Sequence, residues 1–276
     1  MGRFNEEERR LARMLYLYAL VPSSEVEVEP VPTMKGFDGE HDIYALDIQG
    51  ITAIVCGLPD EEYSESVLQD KIENDMEWLQ DKAFHHHETV LMMSQRYTII
   101  PLKFCTIYKH EDSLKDKVGK HLSSLKDAFT DLEGKEEWNV KIYCDDKRLK
   151  ETISHPSITE KWEEIKQLPK GRQFFEKKKM EQLENKVIEN EKNRMCEEFH
   201  ERLKSYATEG TVKKNWGKDV TGRAEQMAWN SVYFLPKEGV DRFVDEIKQS
   251  ESKWKEAGWT FEATGPWPPY HFSSFS

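Results

Sequence analysis

Three consecutive histidines (His85, His86, His87) and two adjacent aspartates (Asp145, Asp146) are the residues of this 276-residue chain whose types invite chemistry. Histidine clusters bind zinc or move protons near neutrality, and a carboxylate pair at a strand end can hold Mg²⁺ for phosphoryl transfer. Spacing speaks against both. Successive helical residues point about 100° apart, so three histidines in a row cannot converge on one ion. The one ligand-like face is Asp81, His85 and Glu88 at i, i+4 and i+7. The plainer reading puts His87 at the edge of the core and leaves His85 and His86 in solvent or against a partner. Asp145 and Asp146 precede Lys147, Arg148 and a helical stretch, which suits helix capping.

Cys56, Cys105, Cys144 and Cys196 form no CxxC pair, so neither a zinc ribbon nor a redox motif is present. They read as free cytosolic thiols, three of them in or at the end of apolar strands. No glycine-rich phosphate loop follows any strand, and no nucleophile, base and orienting group can be assembled. The expectation is a protein without catalytic residues, metal or cofactor. A metal- or phosphate-dependent enzyme using Asp145, Asp146 or the histidines is the alternative.

The elements that position these residues are organised around RYTIIPLKFCT (residues 96–106) and EEWNVKIYC (136–144). Both are apolar, β-branched and aromatic, so both are expected to be buried strands, the first kinked at Pro101. LYLYALV (15–21) makes the first strand. Residues 23–40, rich in Pro, Gly and acids, read as loop, and 43–48 with 51–58 as a hairpin about Gln49 and Gly50. Residues 64–94 read as one helix with Leu68, Ile72, Met76, Leu79, Ala83, His87 and Val90 inward. A second helix at 111–132 is closed by Gly134.

Beyond it come a short helix or turn at 158–168 and a long, heavily charged helix at 171–206, whose narrow apolar stripe suits a projecting arm or helical hairpin. Then follow an irregular or weakly helical stretch at 211–224, a strand at 227–235, a helix at 240–257 and a strand at 259–263. The order resembles a modified ferredoxin-like βαββαβ layout with one strand unplaced near 211–224. The expected fold class is α+β in two domains. Residues 1–13 form a flexible segment and 14–134 an N-terminal mixed α/β domain. Residues 135–263 form a C-terminal modified ferredoxin-like domain with a long helical arm, and 264–276 an extended aromatic, Pro-rich tail.

Charged residues reach 33% against the usual ~25%, which predicts long solvated helical faces. The net charge of −12 opposes binding to nucleic-acid phosphates. No apolar run approaches the ~20 residues of a membrane helix, and no secretory signal opens the chain. A cytoplasmic protein with neither nucleic-acid nor membrane partners is expected. The tail TGPWPPYHFSSFS carries no Asp, Glu, Lys or Arg. Its Trp267, Tyr270, Phe272 and Phe275 are the candidate partner-binding residues, placed either back on their own domain or on another protein.

LYLYALV, WLQDKAFHHHETVL, IIPLKFCTIY, EWNVKIY, GRQFFEKKK and WTFEATGPWPPYHF occur in an order that spans almost the whole chain and resembles the gas vesicle protein F/L family. GPWPPY and the pair PLKF and EW are the most specific parts. Cys105 departs from the pattern, standing where family members usually carry Gly after the Phe. The resemblance implies a two-domain α/β protein with a non-enzymatic role in assembling gas vesicles, the hollow protein shells that give cells buoyancy. It also implies an accessory or minor component, located at the vesicle, that contacts the small hydrophobic major shell protein and other accessory proteins. A coiled-coil scaffold self-associating through residues 171–206 is the remaining alternative.

Overall fold

The computed structural model describes residues 13–152, 156–273 and 275. The flexible segment expected at 1–13 lies outside them, except for Arg13. The chain divides into two compact units, Met1–Glu136 with Trp267–Ser276, and Glu137–Pro266. Both are mixed α/β, each built on an antiparallel sheet.

The first unit runs β1 (Arg13–Pro22), α1 (Ser23–Val28), β2 (Tyr44–Ile48), β3 (Ile51–Pro59), α2 (Glu65–Asn74), α3 (Met76–Ser94), β4 (Ile100–Pro101), β5 (Ile107–Tyr108), α4 (Glu111–Lys120) and α5 (Leu122–Leu132). Its strand order is β2-β3-β1-β4, with β5 also on β1. Every residue from Leu15 to Val21 is buried, so this central strand is covered on both faces. Register with β3 slips by one between Leu17↔Val55 and Ala19↔Ile54, leaving Tyr18 as a bulge. A bulge inverts the in–out alternation. Tyr16 and the bulged Tyr18, with Ala19 and Val21 after it, therefore join one core with Phe37, Cys56, Val90 and Met93. The hairpin forms as expected, with Gln49 at φ 56° and Gly50 at φ 90°, the positive pair a tight turn requires.

Four local expectations need correction. Residues 96–106 are not one strand, because pairing is confined to Ile100–Pro101 and Ile107–Tyr108. Pro101 has no N–H to donate, and Cys105 turns the chain at φ 60°. The stretch read as loop opens with α1, held by polar tertiary contacts. Ser23 Oγ bonds Asp47 Oδ1 at 2.5 Å, and Glu25 Oε2 accepts the Thr98 N–H at 2.6 Å. The helix expected at 64–94 breaks at Asp75, whose Oδ1 caps the Trp78 N–H at 2.9 Å, leaving Ile72 and Met76 exposed. The helix at 111–132 breaks at His121.

The second unit comprises β6 (Lys135–Cys144), α6 (Asp146–Thr152), α7 (Pro156–Gln167), α8 (Lys170–Lys204), β7 (Glu209–Val212), β8 (Gln226–Pro236), α9 (Val240–Trp254) and β9 (Trp259–Trp267). Its sheet order is β7-β8-β6-β9. The unplaced strand is β7, antiparallel to β8 from Glu209↔Phe234 to Val212↔Ser231. The C-terminal half of α8 buries Met195, Cys196, Phe199 and Leu203 with Tyr233 and Phe243. Its N-terminal half meets α7, where buried Glu184 accepts the Trp162 Nε1–H at 2.5 Å. Strand β9 continues to Trp267, so residues 264–267 belong to the sheet and not to an extended tail. Among the described residues, no helix is long and apolar enough to cross a membrane.

Candidate functional site

Helix α3 sends His85, His86 and His87 in three directions, and each meets an aromatic side chain. His86 is buried, its Nδ1 2.8 Å from Tyr16 Oη and its Nε2 3.2 Å from the Leu102 carbonyl. A carbonyl can only accept, so Nε2 carries the proton and Nδ1 accepts from the Tyr16 hydroxyl. Tyr16 Oη in turn accepts the Cys105 N–H at 3.3 Å. This chain fixes a neutral imidazole. His85 Nε2 lies 3.0 Å from Tyr18 Oη, and the His87 ring stands 5.6 Å from that of Trp267.

Burial pushes His86 down to about 4, opposed by the hydrogen bond to Leu102. Burial also lowers His85, with Lys82 adding to the effect, and raises the phenols of Tyr16 and Tyr18. With both nitrogens engaged, His86 ties helix to strand. The expectation that His86 lies in solvent or against a partner is overturned. The buried face of α3 is His86, Thr89, Val90 and Met93, rotated about one residue from the expected stripe by the break at Asp75.

The other chemical candidates are also committed to structure. Asp145 Oδ1 caps α6 by accepting the Lys147 and Arg148 N–H groups at 2.9 and 3.3 Å. Asp146 Oδ1 lies 3.0 Å from Nζ of Lys192, whose side chain is buried. All four cysteines are free. Burial pushes Cys56 and Cys105 up to about 11 and Cys144 and Cys196 to about 12, so their thiols stay protonated at neutrality. Among the described residues no cluster of three or more His, Cys, Asp or Glu side chains is placed to hold a metal.

From Trp267 on, the tail groups with the first unit. After Trp267 and the buried Pro268, the chain turns instead of extending. The Ser273 N–H and Oγ–H both donate to the Pro269 carbonyl, at 3.0 and 2.6 Å. The Phe275 ring stands edge-on to His121 at 5.7 Å, with Lys117 Nζ 5.9 Å from its centroid. Trp267, Phe272 and Phe275 are half-buried, while Tyr270, between the two anchored ends, stays 37% exposed. Nothing in the sequence periodicity marks His87 and His121 as the rings that receive the tail.

The family model described as gas vesicle synthesis protein GvpL/GvpF matches residues 14–274, from β1 into this tail. The chain belongs to that family. Membership gives this GvpL/GvpF protein a role in gas vesicle formation. Gas vesicle protein L of a Streptomyces species is 21% identical over 82% of the chain and 81% of its own length. Gas vesicle protein F of a Nostoc species is 23% identical over 88% and 91%. Among solved structures, GvpF from an Anabaena species superposes with a TM-score of 0.72 at 21% identity, covering 96% of this chain and 99% of that one. GvpF from Microcystis aeruginosa gives 0.64 at 20% identity, covering 95% and 99%. The fold is thus that of GvpF.

Proposed function

We propose that this GvpL/GvpF protein is a non-enzymatic accessory or minor structural component of gas vesicle assembly, acting in the cytoplasm and at the vesicle. It binds the major shell protein and other vesicle accessory proteins, and neither nucleic acid nor membrane. The observation that carries this reading is the state of the tail. Tyr270 stands exposed on a turn held at one end by Trp267 against His87 and at the other by Phe275 against His121. A pre-ordered aromatic loses little freedom on binding, and a hydrophobic shell subunit needs its apolar surface covered before it polymerises.

In this reading, residues 14–134 form an N-terminal mixed α/β domain. Residues 135–263 form a modified ferredoxin-like domain with α7 and α8 as its arm, and 264–276, whose first four residues complete β9, form the docking tail. The order β7-β8-β6-β9 supports the ferredoxin-like assignment, since it corresponds to 2-3-1-4 of a βαββαβ unit. Replacing the gene by a Tyr270→Ser/Phe272→Ser variant and imaging the cells tests the role. Vesicles should be lost while folded protein persists. Normal vesicles would remove the tail from the assembly step.

A further inference from the structure

The fold leaves open two surfaces of opposite charge, each with apolar side chains at its centre. The first is the tip of the arm, KGRQFFEKKK at residues 170–179, with five cations against the single acid Glu176. Phe174 and Phe175 are 69% and 67% exposed, their rings edge-to-face at 5.7 Å. Lys177 and Lys178 follow Phe174 at i+3 and i+4, so ring and charge share a helical face. Of the five cations, only Lys179 has an ion-pair partner among the described residues. Farther along α8 a cleft of about 360 Å³ opens against α7, with Ile165, Leu168, Met180 and Leu183 in its lining.

The second surface is residues 60–81 of the first unit. It holds nine acids against the single cation Lys71. All nine acids are exposed, and only Asp81 has an ion-pair partner among the described residues. Where the helix breaks at Asp75, Ile72 and Met76 stand 38% and 64% exposed among Asp70, Glu73 and Glu77.

We propose that the arm tip of one copy docks on residues 60–81 of a second copy. Phe174 and Phe175 cover Ile72 and Met76, while Lys177 and Lys178 face Glu73 and Glu77. At a net charge of −12 copies repel in most orientations, and the basic tip meeting the acidic patch selects this one. The contact joins two different patches, so association runs head to tail. It is independent of the shell-protein contact, because neither patch contains a tail residue.

Sedimentation velocity of the full chain at about 0.1 mM reads the contact directly. Association is expected at about 0.05 M salt and monomer at about 0.5 M, where the Debye length falls to roughly 4 Å. Lys177→Glu/Lys178→Glu and Glu73→Lys/Glu77→Lys should each give a monomer at low salt, with circular dichroism and Tm unchanged. Their equimolar mixture should associate again, since the intact tip of one meets the intact patch of the other. A wild-type chain that stays monomeric at low salt overturns the proposal and assigns the tip to a different acidic partner. Association that ignores both charge reversals, or a mixture that stays monomeric, overturns it as well.

Discussion

His86 Nδ1 and Tyr16 Oη, 70 positions apart in the chain, lie 2.8 Å apart and bolt helix α3 to the central strand. Through Tyr16 the bolt reaches the Cys105 N–H, and through Nε2 it reaches the Leu102 carbonyl. One turn of helix thus secures the loop between β4 and β5, and the next histidine along it receives Trp267 of the tail.

The bolt makes stability depend on pH. In the unfolded chain His86 titrates near its ordinary ~6.5, whereas burial holds it at about 4 in the fold. Between these values the unfolded state binds more protons. Stability is therefore complete above about pH 6.5 and lost as pH falls toward 4, by roughly 3 kcal/mol. Urea midpoints across that window should decline, and His86→Met should remove most of this decline while leaving the parts from His85 and His200, which burial also lowers. Parallel profiles for the two proteins would show that His86 is not the titrating group.

Tyr16→Phe removes the hydroxyl that serves both His86 and the Cys105 N–H, and should cost about 2–3 kcal/mol. Tyr18→Phe loses its bond to His85, which is only half-buried, and a long contact of 3.9 Å with Cys56 Sγ, and should cost about 1 kcal/mol. Denaturant unfolding of the two variants gives the comparison. Equal losses would mean that the Tyr16 hydroxyl has no special place in the network.

Cys105 sits at φ 60°, where a branched side chain is strained. Cys105→Val should destabilise by about 1–2 kcal/mol, whereas Cys105→Gly should be neutral or stabilising by up to about 1 kcal/mol. Thermal unfolding decides the order. It also gives a physical reason for the glycine expected at this position from the family resemblance.

In the second unit, Gly258 combines φ 87° with a close approach. An added Cβ would lie 2.7 Å from Arg148 Cβ and 3.1 Å from the Asp145 carbonyl. Gly258→Ala should lose about 2–4 kcal/mol by strain and overpacking together, measured as a fall in Tm. An unchanged Tm would contradict the packing of α6 on the turn before β9.

Strands buried on both faces were legible from composition, as in β1, and the β2–β3 hairpin from its Gln-Gly turn. The strand β7 was not, because four residues at a sheet edge, one of them Gly210, bury too little to leave a pattern. The histidines were misassigned for a geometric reason. Ile72 and Met76 carried the apolar period through Asp75, where the helix ends, and the rotation that follows puts His86 inward in place of His87. The tail's composition marked it as a contact segment, but its turn depends on the Ser273 donors and its anchors on His87 and His121, which no local period encodes. The motifs that carried the family resemblance, from LYLYALV to GPWPPY, lie within the matched residues 14–274.

Co-expression pull-down with the major gas vesicle shell protein tests the central claim most directly. The full chain should be compared with Tyr270→Ser/Phe272→Ser, since ending the chain at Thr264 would cut β9. Retention of the shell protein by the wild type, and its loss in the variant with folding intact, is the predicted result. Equal retention by both would move the contact away from the tail, and no retention by either would contradict direct shell binding.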